Sequence, residues 1–244
     1  PGISKLIHER GDLDINFLGV AIGNGMFDKR YEQIKLPDFT YASGLIDEAA
    51  YKDYKQLQEY CVQLIKEGNY QDAENDACWI AFGKYIFENA VPNYYDIRLK
   101  APYDTAYVDN FFLREDVQKI LGVAEGVIYQ TCNWDIYDAL IWDQYESYVD
   151  ELSYLLRQGL KVLQYHGMED WICNWMGGEN VAVHLDWRGN CKFKYRNYVQ
   201  WKNYGEYRQV DNFVFLKILN AGHMVPHDQP QVAYEMIEKW IHGW

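Results

Sequence analysis

Three short apolar runs, each ending in a tight turn, constrain the fold of this 244-residue chain more than any other feature. They occupy residues 15–22, 161–165 and 213–219, and each has the length of a strand rather than a helix. Runs that are apolar on both faces are typical of buried strands in a parallel sheet. Stretches with helical spacing of apolar residues separate the runs. The sequence therefore predicts an α/β fold.

Two stretches after the first run, residues 45–68 and 70–90, alternate charged and apolar positions at helical spacing. Gly68 and Asn69 separate them, which predicts a pair of antiparallel helices. This helical region interrupts the order of strands along the chain. We therefore predict two units: a sheet core over residues 1–28 and 105–244, and a mainly helical insertion or cap over residues 29–104.

The second half of the chain alternates helix and strand signals. Residues 145–159 have an amphipathic helical pattern and lead into the second apolar run. Turn residues around Asn203 and Gly205 predict a β-hairpin before the third run, and residues 231–242 predict a closing helix. A short helix over residues 114–122, ended by a glycine, is also expected.

Composition excludes several classes of protein. The net charge of −13 disfavours nucleic acid and anionic membrane surfaces as partners. No run of eighteen apolar residues occurs, so no transmembrane helix is predicted. The five cysteines include no C-x-x-C pair, and no metal or cofactor is predicted. Cys61 and Cys78 flank the predicted helical turn and can pair with each other.

An aspartate and a histidine follow two of the predicted strands. Asp170 lies just after the run 161–165, and His223 lies just after the run 213–219. The carboxyl ends of parallel strands meet at one edge of a sheet, where functional groups gather. A histidine oriented by a carboxylate is what a nucleophilic hydrolase needs, and α/β-hydrolases place the acid before the histidine. Spacing alone leaves a capping aspartate and an ordinary turn histidine as alternatives.

Four short motifs resemble those of the serine carboxypeptidases, and they occur in the family's order. Residues 167–175 are similar to the acid loop G-x-x-D-x-I-C-N-W, and residues 222–226 are similar to the histidine turn. Residues 22–25 resemble the I-G-N-G strand end, and residues 132–135 resemble the C-N-x-D segment. The resemblance implies the C-terminal part of a serine carboxypeptidase with an incomplete α/β-hydrolase fold.

The resemblance also implies roles for particular residues. Asp170 matches the triad carboxylate, and His223 matches the general base and acid. Glu169 competes with Asp170 on chemistry alone, but Asp170 occupies the family's position in the motif. The positions that match the lining of the substrate pocket are Ile172, Cys173 and Met224, with Cys173 expected to be a free thiol near the site.

The nucleophile is missing from the predicted triad. The chain has four serines, and none stands in the G-x-S-x-G elbow. In the family this elbow lies upstream of the position that matches Pro1, as does the disulfide partner of the cysteine matching Cys132. We therefore expect residues 1–244 to be a fragment that is inactive alone.

The resemblance implies a serine-type carboxypeptidase that removes C-terminal residues from peptides through an acyl-enzyme. It places such a protein in the lysosome, in the vacuole or outside the cell, and implies no cofactor. Two alternatives remain open: a non-catalytic relative that acts as a binding protein, and an acyltransferase with the same triad but a different acceptor. The sequence does not predict an oligomeric state.

Overall fold

A five-stranded mixed sheet is the centre of the molecule. A computed structural model describes residues 1–87, 91 and 93–244. The strand order is β1-β2-β5-β4-β3, with β1, β2 and β5 parallel and the last two pairings antiparallel. The strands are β1 (Gly19–Gly23), β2 (Lys161–Gly167), β3 (Val199–Trp201), β4 (Gly205–Val210) and β5 (Phe213–Ile218). The fold is α/β, as predicted.

Fourteen α-helices surround this sheet in the described part of the chain. In chain order they are α1 (Gly2–Glu9), α2 (Lys29–Glu32), α3 (Leu36–Ala42), α4 (Glu48–Lys66), α5 (Tyr70–Asp72), α6 (Trp79–Phe87), α7 (Ala106–Phe112), α8 (Glu115–Leu121), α9 (Trp134–Leu140), α10 (Val149–Arg157), α11 (Trp175–Ala182), α12 (Asn190–Tyr195), α13 (Val225–Asp228) and α14 (Pro230–His242). None of these helices combines the length and apolar character that a membrane crossing needs.

Both faces of β2 and β5 are buried, which explains why their sequences are continuously apolar, whereas β1 is half-buried. On one face, Phe213 and Phe215 of β5 pack in a cluster with Leu152 and Leu155 of α10. On the other face, neighbouring residues of β2 and β5 pack in a second cluster with α14. The members that carry this second contact include Leu163, Val214, Leu216, Val232 and Met236.

The helical pair predicted over residues 45–68 and 70–90 is present, and a disulfide joins its two arms. Cys61 of α4 bonds to Cys78, as predicted. The second arm is not one continuous helix, because a π-helical segment (Ala73–Cys78) lies between α5 and α6. Residues 88–90 of the predicted helix lie outside the described residues.

Two element boundaries differ from the predictions. The first strand begins at Gly19 rather than at residue 15, because its partner β2 begins at Lys161, directly opposite Gly19. The helix predicted over 145–159 is α10, which begins later. The backbone N–H of Tyr148 donates to the Phe27 carbonyl (2.9 Å) and holds the preceding segment against the end of the first strand region.

The hairpin, the glycine-ended short helix and the closing helix are confirmed. Strands β3 and β4 pair in antiparallel register around the predicted turn. Gly122 ends α8 in the left-handed conformation (φ 68°), which costs glycine little.

The close approach of β2 to the turn after β5 gives a test of the fold. A Cβ on Gly167 would lie 2.0 Å from the Gly222 carbonyl oxygen and 2.4 Å from that of Ala221. Gly167→Ala is therefore expected to lower the free energy of unfolding by about 3 kcal/mol, because both contacts are with backbone. The measurement is urea unfolding.

Gly83→Ala is the matched control for this change. Gly83 lies inside α6, and a Cβ there would meet nothing within 4 Å. This substitution should raise the free energy of unfolding by roughly 0.5–1 kcal/mol, since alanine loses less backbone entropy than glycine in a helix. Equal effects of the two substitutions would contradict the packing described at Gly167.

Candidate active site

The loops that follow β2 and β5 meet at one edge of the sheet and bring an acid and a histidine together. Strand β2 ends at Gly167 and pairs there with Ile218 of β5. The Nδ1 atom of His223 lies 2.9 Å from the Oδ2 atom of Asp170. The neighbouring Glu169 contacts the same region through its main chain, where its N–H donates to the Ala221 carbonyl (2.9 Å). The imidazole therefore pairs with Asp170.

The carboxylate of Asp170 is fully buried and accepts three hydrogen bonds. Besides His223, the Asn24 side-chain amide donates to Oδ2 (2.7 Å) and the Cys173 backbone N–H donates to Oδ1 (3.3 Å). Burial raises the pKa of Asp170, because a charge is costly away from water. The hydrogen bonds from His223, Asn24 and Cys173 lower it and so favour the ionised form.

Asn24 is a site residue that the sequence analysis missed. It follows β1 directly and adopts the left-handed conformation (φ 43°), which asparagine tolerates better than most residues. Its backbone N–H donates to the Tyr165 carbonyl (2.9 Å), and its side-chain oxygen accepts from the Gly167 N–H (3.4 Å). The signal was present as the I-G-N-G match, in which an asparagine between glycines ends a strand beside the acid-bearing strand.

The geometry of His223 leaves one ring nitrogen available for chemistry. Since Nδ1 donates to the Asp170 carboxylate, Nε2 has a free lone pair in the neutral ring. The side chain is 31% exposed, so the ring is accessible from one side. Its backbone N–H donates to the Tyr95 carbonyl (2.7 Å), and the Tyr95 ring centre lies 5.1 Å from the imidazole.

A segment of the predicted insertion, residues 93–98, supports both loops. The Tyr94 carbonyl accepts from the N–H groups of Trp171 (3.2 Å) and Ile172 (3.0 Å) in the acid loop. The next carbonyl, that of Tyr95, holds His223 as described above. A Cβ on Gly222 would lie 2.4 Å from the Tyr95 oxygen, which explains why a glycine precedes the histidine.

The 93–98 segment is fixed by its own buried polar side chains. Asp96 is fully buried, and its carboxylate accepts from the backbone N–H and the guanidinium of Arg98. Asn93 is also buried, and its side-chain oxygen accepts from the Tyr95 N–H (2.9 Å). Nothing in the tyrosine-rich sequence of this segment signals these contacts with the site.

The carboxylate of Asp228 holds the histidine turn from the opposite side. Its Oδ2 atom accepts from the Gly222 N–H (2.7 Å) and from the Tyr103 hydroxyl (2.8 Å). His227 lies 3.0 Å from the other oxygen of the same carboxylate and is half exposed. His227 is thus a surface residue paired with Asp228, whereas His223 is paired with Asp170.

The three residues predicted to line a substrate pocket lie at different depths. Cys173 is a free, half-buried thiol near the Asp170–His223 pair. Ile172 packs against an apolar cluster that includes Trp171. Met224 is half buried and directly precedes α13.

Asp170, Cys173 and His223 also offer potential metal ligands within the described residues. One ligand atom from each lies within 4.8 Å of the others. Burial and the nearby Asp170 raise the pKa of the Cys173 thiol well above its usual value. The two remaining groups, Asp170 and His223, form a hydrogen-bonded pair.

No serine hydroxyl bonds the imidazole within residues 1–87, 91 and 93–244. Ser4 and Ser153 are buried in α1 and α10. The Ser153 hydroxyl accepts from the Asp186 N–H (2.9 Å). Ser43 ends α3 at an exposed position, and the Ser147 hydroxyl accepts from the Val149 N–H at the start of α10.

Comparison with known proteins decides the family. The family model described as serine carboxypeptidase matches residues 1–243. The chain belongs to the serine carboxypeptidase family. A serine carboxypeptidase-like protein of Pisum sativum is 30% identical, with 100% of this chain and 91% of that protein aligned.

Other serine carboxypeptidase relatives are longer. Serine carboxypeptidase-like 47 of Arabidopsis thaliana and carboxypeptidase Y of Komagataella phaffii are each 30% identical over the whole chain. The chain spans about half of these two relatives, 51% and 50% of their lengths. Among solved structures, Kex1(delta)p, a prohormone-processing carboxypeptidase from Saccharomyces cerevisiae, superposes with a TM-score of 0.80 at 21% identity. The superposition covers 99% of this chain and 58% of that one, and it supports the α/β-hydrolase fold.

His166 is a second histidine beside the acid loop of this serine carboxypeptidase chain. It lies in β2 and is fully buried. Its Nδ1 atom donates to the Cys173 carbonyl (3.0 Å), and its Nε2 atom accepts from the Gln164 side-chain amide (3.0 Å). Burial lowers the pKa of His166 to about 4, because the charged ring would lose its hydration.

The lowered pKa of His166 predicts a loss of stability in acid. Above the ordinary pKa of 6.5 both folded and unfolded chains hold a neutral ring, so its contribution is fully present there. As the pH falls from 6.5 through the folded value of about 4, only the unfolded chain takes up the proton. The free energy of unfolding should fall by about 3 kcal/mol from this group.

Urea unfolding of the protein and of His166→Gln, at about pH 7 and about pH 4, measures this effect. The difference in stability between the two proteins should shrink in acid, because glutamine does not titrate. A difference that stays constant over this range means that His166 is not the titrating group.

Proposed function

We propose that residues 1–244 are the acid-and-histidine part of a serine-type carboxypeptidase that removes C-terminal residues from peptides. One observation supports this most strongly. His223 Nδ1 is 2.9 Å from the buried Asp170 carboxylate, which leaves Nε2 outside that bond on a side chain that is 31% exposed. This is the orientation in which an imidazole accepts a proton from a hydroxyl nucleophile. Relatives named as carboxypeptidases support the peptide substrate.

In the proposed mechanism, Nε2 of His223 takes the proton of a serine hydroxyl while its oxygen attacks the carbonyl carbon of the last peptide bond. The Asp170 carboxylate stabilises the imidazolium that forms. The imidazolium then gives its proton to the departing amino group, which leaves an acyl-enzyme. Water, deprotonated by the same nitrogen, then attacks the carbonyl carbon of the ester. The bond from this carbon to the serine oxygen breaks, the imidazolium returns its proton to that oxygen, and the shortened peptide is released.

The proposed nucleophile is a serine outside residues 1–244. Ser4 and Ser153 lie in helices, Ser147 bonds the start of α10 and Ser43 is the exposed residue after α3, and none follows a strand in an elbow. Residues 1–244 alone are accordingly proposed to be inactive. Ile172, Cys173 and Met224 are proposed to contact the substrate, with residues 29–104 acting as the insertion or cap beside the core.

The Cys61–Cys78 disulfide supports an oxidising compartment. We propose that the protein acts in a lysosome, in a vacuole or outside the cell.

A fluorophosphonate probe tests the proposed reaction directly. The full-length protein should be labelled on serine and should hydrolyse blocked dipeptides. His223→Ala should abolish both, because the hydroxyl then has no base. His227→Ala is the matched control, since His227 lies close by in α13 but pairs with Asp228, and it should retain labelling.

The outcomes of this experiment separate the proposal from its alternatives. A full-length protein that is never labelled is a non-catalytic relative. A protein that is labelled but transfers acyl groups from glucose esters, without hydrolysing peptides, is an acyltransferase.

Asn24→Gly in the full-length protein tests the support of Asp170. Glycine adopts the left-handed conformation without strain, so the substitution leaves the backbone unstrained and removes the side chain, with its short bond to Asp170 (2.7 Å) and its long bond from the Gly167 N–H (3.4 Å). A hydrogen bond to a charged group contributes about 1.5–3 kcal/mol, so kcat should fall roughly 10- to 100-fold with little change in KM. Asn220→Gly is the control. The backbone of Asn220 also adopts the left-handed conformation (φ 56°), but Asn220 lies after β5, whereas Asn24 follows β1. Equal effects of the two substitutions would contradict the role of the Asn24 amide.

A further inference from the structure

We propose that His166 is a positioning residue that fixes the acid loop, and through it Asp170, from the interior of the sheet. This inference rests on the proposed function, since the loop that it fixes holds the proposed triad carboxylate. His166 touches neither His223 nor Asp170 by a hydrogen bond, and its effect is transmitted through the main chain of Cys173.

The main chain of Cys173 is held on both sides. Its N–H donates to Asp170 Oδ1 (3.3 Å), and its carbonyl accepts from His166 Nδ1 (3.0 Å). Asp170 in turn is bonded to His223 (2.9 Å). A continuous chain of hydrogen bonds therefore runs from His166 to Cys173, to Asp170 and to His223. Displacement of the Cys173 carbonyl would move the N–H that orients the carboxylate.

The His166 ring is itself held rigidly, so it can serve as a fixed reference for the loop. Gln164 donates both to Nε2 (3.0 Å) and to the Gly178 carbonyl (3.1 Å) of α11. A Cβ on Gly178 would lie 2.2 Å from Nε2, so the ring packs directly against that helix. The Phe215 ring of β5 lies 5.5 Å away on centres. The imidazole is thus enclosed by its own strand β2, by α11 and by β5.

The two hydrogen bonds of the ring select one tautomer. A carbonyl only accepts, so Nδ1 must bear the proton that it donates to Cys173. The Gln164 amide nitrogen only donates, so Nε2 must present a lone pair. The neutral ring satisfies both bonds, and the lowered pKa keeps it neutral over a wide range of pH. The neutral ring therefore presents one donor, its Nδ1–H, to the Cys173 carbonyl of the acid loop.

A purely packing role for His166 makes the opposite prediction about substitutions. An apolar side chain of similar size, such as leucine, fills the buried space but leaves the Cys173 carbonyl without its donor. Asparagine is smaller and packs less well, yet its amide nitrogen takes the place of Nδ1 and keeps the donor. Positioning thus predicts that asparagine preserves the site better than leucine, whereas packing predicts the reverse order.

The experiment compares His166→Asn and His166→Leu in the full-length protein, on a blocked dipeptide. We expect His166→Leu to lower kcat by roughly 10- to 100-fold with KM little changed, because the carboxylate is displaced after the substrate has bound. We expect His166→Asn to keep kcat within about threefold of the unsubstituted protein, even if its stability is lower. The inference would be overturned if His166→Leu kept nearly full activity while His166→Asn had low activity.

A spectroscopic measurement decides the inference independently of hydrolysis. In protein labelled with ¹⁵N-histidine, the Nδ1 proton of His223 bonded to Asp170 gives a strongly downfield resonance. This resonance should shift or disappear in His166→Leu and remain in His166→Asn. An unchanged resonance in both variants overturns the inference whether or not the protein hydrolyses peptides. A third outcome is that the resonance changes as expected while the protein neither hydrolyses peptides nor reacts with the probe. That outcome overturns only the proposed function.

His184→Leu is the matched control for these variants. His184 also presents Nδ1 to a backbone carbonyl, that of Asn180 (2.6 Å), but it lies at the end of α11 and is exposed. Its substitution should leave kcat and the His223 resonance unchanged. A loss equal to that of His166→Leu would show that any histidine removal disturbs the site, which also overturns the inference.

Discussion

Parallel pairing of β2 with a neighbour on each side determines where the polar groups of this molecule meet. Its register sets Gly23 of β1 opposite Tyr165, and Ile218 of β5 opposite Gly167. The residues that directly follow these three strands therefore lie close enough to form hydrogen bonds with each other. A register slip of one residue would exchange the side chains of the two faces, so the fit of β2 and β5 to a different cluster on each face fixes the register and, with it, the site.

Burying the Asp170 carboxylate costs the free energy of its hydration, and hydrogen-bond donors from separate parts of the chain offset this cost. Asn24 follows β1, Cys173 lies in the loop after β2, and His223 follows β5, yet all three bond Asp170. In a region of low dielectric such bonds are stronger than in water, and an unpaired group would be correspondingly costly. The resulting network has few alternative arrangements. This preorganisation would stabilise the charge that develops on the imidazole in the proposed acyl transfer.

Much of the fold, and the two central residues of the candidate site, could be predicted from the sequence. Strand-length apolar runs identified the parallel strands, and burial of both faces of β2 and β5 explains the continuous apolar signal of those two. The motif around Asp170 distinguished it from Glu169, and the flanking positions of Cys61 and Cys78 pointed to their disulfide. The 93–98 segment and His166 could not be assigned roles, because their contacts with the site involve backbone atoms distant along the chain. Such contacts leave no periodicity in the sequence.

The sequence by itself determined the class of fold, the family and the identity of the acid–histidine pair, because these depend on local patterns and on motifs read along the chain. Only the tertiary structure decided what surrounds the pair. The Tyr95 carbonyl holds His223 although it comes from the predicted insertion, and His166 contacts the acid loop from within β2. The physical reason is that a main-chain hydrogen bond is available at nearly every residue, so its partner is selected by geometry rather than by side-chain type.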